Sequence, residues 1–154
     1  MRPALALIEP DIAGNVGTLL RTAACFGVEV HIAEPCGFAF SDRSLRRAGM
    51  DYAAAAPVTR HAGRAALLAA ILGEGRRPVL LTTDGESPLH AARFAPGDLL
   101  MLGSESAGAP DDIHRAAALR VRIPMMQGYR SLNVAVAGGI ALAEALRQTG
   151  SFPT

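Results

Sequence analysis

Short apolar runs, each closed by proline, glycine or a polar turn, alternate along this chain with stretches whose apolar residues recur at helical spacing. The run 3–8 (PALALI) reads as a buried strand that Glu9–Pro10 ends, because proline has no N–H for a ladder. After the loop DIAGN, Asn15 is the expected N-cap of a helix through Phe26. Leu19, Leu20, Ala23, Ala24 and Phe26 form its apolar face, and Gly27 stops it. A second strand over 28–33 closes at Glu34–Pro35. Ser41 opens a short basic helix, SDRSLRRAG, and 56–59 reads as a third strand. Residues 62–72 are helical by composition, with Gly73 and Gly75 beyond them. PVLLTT (78–83) is a strand running into the turn Asp84–Gly85; 98–102 is another, entering the loop GSESAGAP, and 119–123 is the last. This alternation predicts an α/β fold: a parallel sheet flanked by helices. In such sheets ligands bind beyond the carboxyl ends of the strands. The loops after Leu81, Leu102 and Ile123 carry the unusual residues there.

The stretch 123–143, IPMMQGYRSLNVAVAGGIALA, organises the rest. A strand ends at Ile123–Pro124, a polar loop follows, and Ser131 is the expected N-cap of an apolar helix running to about Gln148, with Asn133 in its first turn. Beyond it stand Ala135, Ala137, Gly138, Gly139 and Ala141. Each glycine costs about 1 kcal/mol relative to alanine in a helix interior, so this pair implies close packing against a partner element. The loop and helix start read as the floor of a ligand pocket. The same pattern also fits a helix following a strand in an ordinary α/β core.

Length and composition narrow the class. The 154 residues fit a single domain, 1–154, with no second domain indicated; 50% are apolar and 19% charged, which argues against disorder. A net charge of +1 excludes a globally basic protein, so a bound polyanion needs a local patch. Cys25 and Cys36 are the only cysteines; with no signal peptide, a reduced cytoplasmic setting is expected. No His/Cys cluster supports a metal site. The longest apolar run, 134–143, falls short of the roughly 18 residues that span a bilayer, so no membrane partner is expected.

Candidate chemistry sits in four places. In GSESAG (103–108) the glycines let backbone amides approach a ligand, but the Lys-Ser/Thr pair of a phosphate loop is missing. Glu105 there suits a ribose hydroxyl, an amine or a cation; a plain strand-to-helix turn is the alternative. Gly14 and Gly17, with Glu34 about twenty residues on, imitate the layout of a dinucleotide site, although G-x-x-G is not G-x-G-x-x-G. Arg21 is either a solvated helix residue or a cation aimed at a phosphate or hydroxyl. Arg43, Arg46 and Arg47 form the best basic patch, with Arg60, His61 and Arg64 as candidate additions, against the alternative of a solvated helix face. With aromatics at 5%, base stacking is limited to a platform such as Phe38, Phe40 or Tyr129.

Taken together, EPDIAGNVGTLLRTAACFG (N-x-G-x-x-x-R at Asn15, Gly17 and Arg21), EPCGFAFSDRSLRRAGMDY, LLTTDG, LGSESAGAP and RIPMMQGYRSLNVAVA resemble the SPOUT superfamily of RNA methyltransferases. Within it the chain looks most like the small bacterial tRNA (cytidine/uridine-wobble) 2′-O-methyltransferases, over nearly its whole length. The resemblance implies an α/β-knot fold with a C-terminal trefoil knot, and S-adenosylmethionine as methyl donor with no metal. It places donor contacts at Leu81, Gly103, Ile123, Ser131 and Leu132. Arg21 is similar to the family's candidate catalytic arginine, with Asn15 and Asn133 beside it. The tRNA side falls to Glu105, Arg43, Arg46 and Arg47. The partners it implies are a tRNA anticodon stem-loop, leucine tRNAs in particular, and a second copy of the chain, joined through the first and last helices. An inactive RNA-binding relative and a dinucleotide-dependent enzyme are the competing readings.

Overall fold

In the strand Ala4–Ile8 (β1), Leu5 and Leu7 enter one core cluster while Ala4, Ala6 and Ile8 enter another. The period of two and complete burial mean that both faces of this strand are covered. The structure, a computed structural model, describes residues 1–41, 43 and 56–154. Its other strands are β2 (Val30–Ala33), β3 (Val58–His61), β4 (Arg77–Leu81), β5 (Ser87–Pro88), β6 (Asp98–Leu102) and β7 (Leu119–Arg122). Its helices are α1 (Ala13–Phe26), α2 (Arg64–Gly73), α3 (Asp111–Ala116) and α4 (Val134–Thr149). The strands form one sheet in the order β3-β2-β1-β6-β4-β7-β5, and every pairing is parallel.

The register puts Leu7 opposite both Ile32 and Leu102, and Leu81 opposite Leu102 and Val121. The carboxyl ends of β1, β6, β4 and β7 are therefore level, and their loops leave from one rim. On one face α1 (Val16, Leu19, Leu20, Ala23) and α4 (Ala135, Ala141, Leu142, Ala145, Leu146) cover Leu5, Leu100 and Leu102. On the other, Leu67 and Ile71 of α2 and Ile113 of α3 cover Ala6, Leu80, Leu99 and Met101.

The expected parallel sheet flanked by helices is present, and the strand 98–102 has the expected bounds. The helix starts differ. Ser131 is not the N-cap of the last helix: α4 begins at Val134, and Asn133 caps it by accepting from the N–H groups of Ala135 (2.9 Å) and Val136 (3.2 Å). Asn15 is not the N-cap of α1 either. That helix starts at Ala13, after Ile12, which makes no side-chain cap. Both asparagines stand near a helix start, but only Asn133 has its oxygen within reach of the free amides. Gly27 stops α1 in the left-handed conformation, φ +62°, as expected. Two elements went unforeseen. The two-residue β5 contains a proline, which an edge position tolerates, and α3 is only six residues long.

The glycine pair divides. A Cβ on Gly138 would lie 2.7 Å from Leu19 and 2.9 Å from Leu102, so the close packing is against α1 and β6 of the same chain. Gly139 has nothing within 4 Å of such a Cβ. One glycine therefore answers to the core, and the other faces outward.

Candidate active site

The rim loops enclose a cavity of about 470 Å³, within the range of small-molecule sites. Leu81 and Thr82 line it from the end of β4, Gly103, Ser104 and Glu105 from the end of β6, and Ile123 and Met125 from the end of β7. Ser131, Leu132 and Asn133 close it ahead of α4, and Ile12 and Asn15 reach it from the start of α1. All five residues expected to hold the donor (Leu81, Gly103, Ile123, Ser131, Leu132) thus meet at one cavity, as do Asn15, Glu105 and Asn133. Thr82, Thr83, Met125 and Ile12 were not singled out from the sequence. Thr82 and Thr83 lie within a run whose apolar character points only to a strand.

A hydrogen-bonded chain joins three of these segments. Glu105 accepts from the Asn15 side-chain amide at 3.0 Å and from the Asp11 backbone N–H at 3.1 Å. Asn133 donates to Asn15 Oδ1 at 2.9 Å while its own Oδ1 caps α4. The Asp11 carboxylate accepts from the Glu105 N–H at 3.1 Å and from the Ser106 hydroxyl. Its hydrogen bonds with Glu105 and with the Ser106 hydroxyl, in that order, hold the Asp11 carboxyl down at about 2. Both oxygens of Glu105 are thus occupied within the chain, so its first task is to brace the loops.

The remaining candidates lie elsewhere. Arg21 is exposed on α1 and does not line the cavity. Arg43 is exposed, and Arg46 and Arg47 fall outside the described residues. The expected additions to the basic patch are engaged. Arg60 pairs with Glu34 and lies 4.4 Å over the Phe40 ring, Arg64 binds Glu9 and Asp112, and His61 is buried against His31. The pairing of Glu34 also removes the acid that a dinucleotide reading needs for a ribose. Gly14 and Gly17 lie inside α1 rather than in a loop ahead of it. Phe38 and Phe40 stack on each other, 6.4 Å between centroids, and pack against the core, whereas Tyr129 is 76% exposed. Among the described residues no group of three or more His, Cys, Asp or Glu side chains could hold a metal ion, and no helix is long and apolar enough to cross a membrane.

A family model described as the SpoU rRNA Methylase family matches residues 2–143. The chain belongs to the SpoU rRNA methylase family. This agrees with the resemblance carried by the motifs at Asn15–Arg21, Gly103–Gly108 and Ser131–Asn133. Among curated SpoU relatives, a tRNA (cytidine(34)-2'-O)-methyltransferase from Ancylobacter novellus is 52% identical over 152 residues, 99% of this chain and 96% of that protein. A solved structure described as "Structural insights into the 2-OH methylation of C/U34 on tRNA" is 40% identical with a TM-score of 0.89, covering 96% of this chain and 95% of that one. An AdoMet-bound rRNA methyltransferase from Sinorhizobium meliloti is 30% identical with a TM-score of 0.85, covering 95% of this chain and 56% of that one.

Proposed function

We propose that this chain is a tRNA 2′-O-methyltransferase that uses S-adenosylmethionine to methylate the ribose of the wobble nucleotide, cytidine or modified uridine, of leucine tRNAs. The observation that carries the reading is the Asn15–Asn133 pair held at the rim of a cavity lined by Leu81, Gly103 and Ile123. The cavity fits the donor in chemistry as well as size. Leu81, Leu102, Val121 and Leu132 offer apolar walls for a base, and Thr82, Ser104 and Ser131 offer hydroxyls for a ribose and an amino acid. When bound, S-adenosylmethionine supplies a methyl on a positively charged sulfur, so the protein has to align it with the incoming hydroxyl. Alignment of reacting groups is worth several kcal/mol, up to about 7–11 for ideal geometry.

In this reading Asn15 and Asn133 fix the approach of the sugar edge. Leu81, Gly103, Ile123, Ser131 and Leu132 hold the donor. Arg21 acts from α1 on the RNA: taking a proton from a hydroxyl would require a guanidinium stripped of water, whereas an exposed one suits the phosphate beside the reacting ribose. Arg43, Arg46 and Arg47 hold the anticodon stem-loop, and Glu105 keeps the substrate-side loops in place. Residues 1–154 act as a single methyltransferase domain, with no metal in the reaction, in the cytoplasm. The order β6-β4-β7 and the meeting of their loops support a trefoil knot through the C-terminal half. Val136 and Ile140, 51% and 40% exposed beside the open Gly139 on α4, support a homodimer through the first and last helices.

The test is transfer of labelled methyl from S-adenosylmethionine to a total tRNA pool, followed by mapping of the modified nucleotide. Ribose methylation at the wobble position of leucine tRNAs is expected. Donor binding without transfer to any tRNA would instead identify an inactive RNA-binding relative. Replacing Arg46 and Arg47 with alanine should also flatten the salt dependence of tRNA binding, by roughly one unit of slope for each phosphate that the protein no longer neutralises.

A further inference from the structure

Asp11 lies in the turn between β1 and α1 and exchanges bonds with the loop after β6 in both directions. Its carboxylate accepts from the Glu105 N–H (3.1 Å) and the Ser106 hydroxyl, and its own N–H donates to Glu105 Oε2 (3.1 Å). The other Glu105 oxygen accepts from Asn15. A carboxylate can only accept, so Asn15 must turn its NH2 toward Glu105 and leave Oδ1 for Asn133. Asn133 must then turn its NH2 toward Asn15 and leave its own Oδ1 for the amides of α4. The orientation of both amides is therefore set from the acidic end of the chain.

Asp11 is also held from behind. The Gly37 N–H donates to Pro10 O at 2.9 Å, and a Cβ on Gly37 would sit 2.7 Å from Asp11 Cβ and 2.9 Å from its Cα, so only glycine fits this approach. Before Asp11, Glu9 takes a left-handed φ of +47°, rare for a residue with a side chain. Arg64 binds it from α2 and is itself bound to Asp112 through two contacts of 2.9 and 3.1 Å. Supports from α2 at Glu9 and from the turn after β2 at Asp11 thus fix the segment that carries Asp11, which lies outside the cavity lining.

We propose that Asp11 is a positioning residue for methyl transfer: clamped by Gly37 and joined reciprocally to Glu105, it orients Asn15 and Asn133 at the cavity rim. The inference rests on the proposed function for its kinetic readout, but not for its structural one. Asp11→Ala, Asp11→Asn and Gly37→Ala would be made in the full chain. Measurements are kcat and KM for tRNA, melting temperature, and the side-chain amide NMR signals of Asn15 and Asn133.

Asp11→Ala is expected to lower kcat about 10- to 100-fold, the scale of a misplaced reacting group, with KM for tRNA within about twofold. The Asn15 and Asn133 amide signals should move. Asp11→Asn keeps an acceptor for the Glu105 N–H and should recover to within about fivefold of the parent. Gly37→Ala, which displaces Asp11 without altering its side chain, should move the same amide signals. Three results would overturn the proposal: a folded Asp11→Ala protein with unchanged kcat, a rise in KM alone, or amide signals that stay in place. Should Asp11→Ala fail to fold, Gly37→Ala decides: Asn15 and Asn133 amide signals that stay in place overturn the proposal. If the unsubstituted protein methylates no tRNA, the proposed function fails, and the amide signals still decide this inference.

Discussion

The carboxyl-end rim and the β2–β3 edge both hold close polar pairs, and they treat them in opposite ways. At the rim Asp11, Asn15, Glu105 and Asn133 are partly exposed, and their hydrogen bonds run from carboxylate to amide to helix cap. At the edge His31 and His61 stack with ring centroids 5.3 Å apart and ring nitrogens at 3.0 Å, both buried, and His31 Nε2 has no hydrogen-bond partner. Burial holds the His31 imidazole below its ordinary value. Glu74 pulls the other way, His61 and Arg76 reinforce the lowering, and Glu29, 3.9 Å from Nε2, opposes it. A polar group left unpaired in the interior costs roughly 1–3 kcal/mol. Acceptors and donors matched end to end can hold a geometry in the presence of water, whereas the buried pair leaves one ring nitrogen of His31 without a partner.

Four experiments would break or sharpen this contrast. The largest effect is expected from Arg21→Ala: if Arg21 works on the RNA while the rim holds the donor, kcat falls by about 100-fold with S-adenosylhomocysteine affinity unchanged in calorimetry. Equal loss of both would make Arg21 part of the fold. Glu105→Gln presents an NH2 to one of two donors, Asn15 or the Asp11 N–H. About fivefold lower kcat is expected, from a net hydrogen-bond loss of about 1 kcal/mol, visible in single-turnover rates.

Asn133→Ala removes the cap of α4, which is worth about 1 kcal/mol. For a chain of this size that corresponds to a fall of about 2–4 °C in melting temperature, measured by calorimetry. The smallest effect distinguishes the two regions by pH. Because the folded His31 value lies below the unfolded one, near 6.5, the unfolded chain takes up the proton first. Stability from this site is complete above about pH 6.5 and declines as pH falls through the lowered folded value. Denaturant midpoints should show that decline, and His31→Phe should flatten it. Asp11, lowered to about 2 from 3.8, contributes stability above about pH 4 that is lost as pH falls toward 2.

Several features were legible because they depend on neighbours in the chain. The parallel order of layers follows from alternating runs such as 3–8 and 98–102, and the stop at Gly27 follows from a left-handed turn that glycine adopts without strain. That the loops after Leu81, Leu102 and Ile123 carry the site was legible from the rule that ligands sit beyond strand ends, while the individual contacts at Leu81, Gly103, Ile123 and Leu132 followed from the family resemblance. The cap of α4 was displaced by two residues because serine and asparagine cap about equally well; what separates Ser131 from Asn133 is where the backbone places each oxygen. Glu105 read as a ligand contact because its partners, Asp11 and Asn15, are 94 and 90 residues away. The dinucleotide layout dissolved for the same reason: Glu34 meets Arg60, 26 residues on, across the sheet.

The amino-acid sequence alone determined the succession of strands and helices, the rim at which a ligand must sit, and the family to which the motifs belong, since each is written in local spacing and residue type. Only the tertiary structure decided that Gly138 serves the core while Gly139 faces out, that Asn133 rather than Ser131 caps α4, and that Asp11, Glu105, Asn15 and Asn133 form one hydrogen-bonded chain. Those outcomes depend on distances of a few ångströms between segments brought together by strand order, and no pattern along one chain encodes a distance across a sheet.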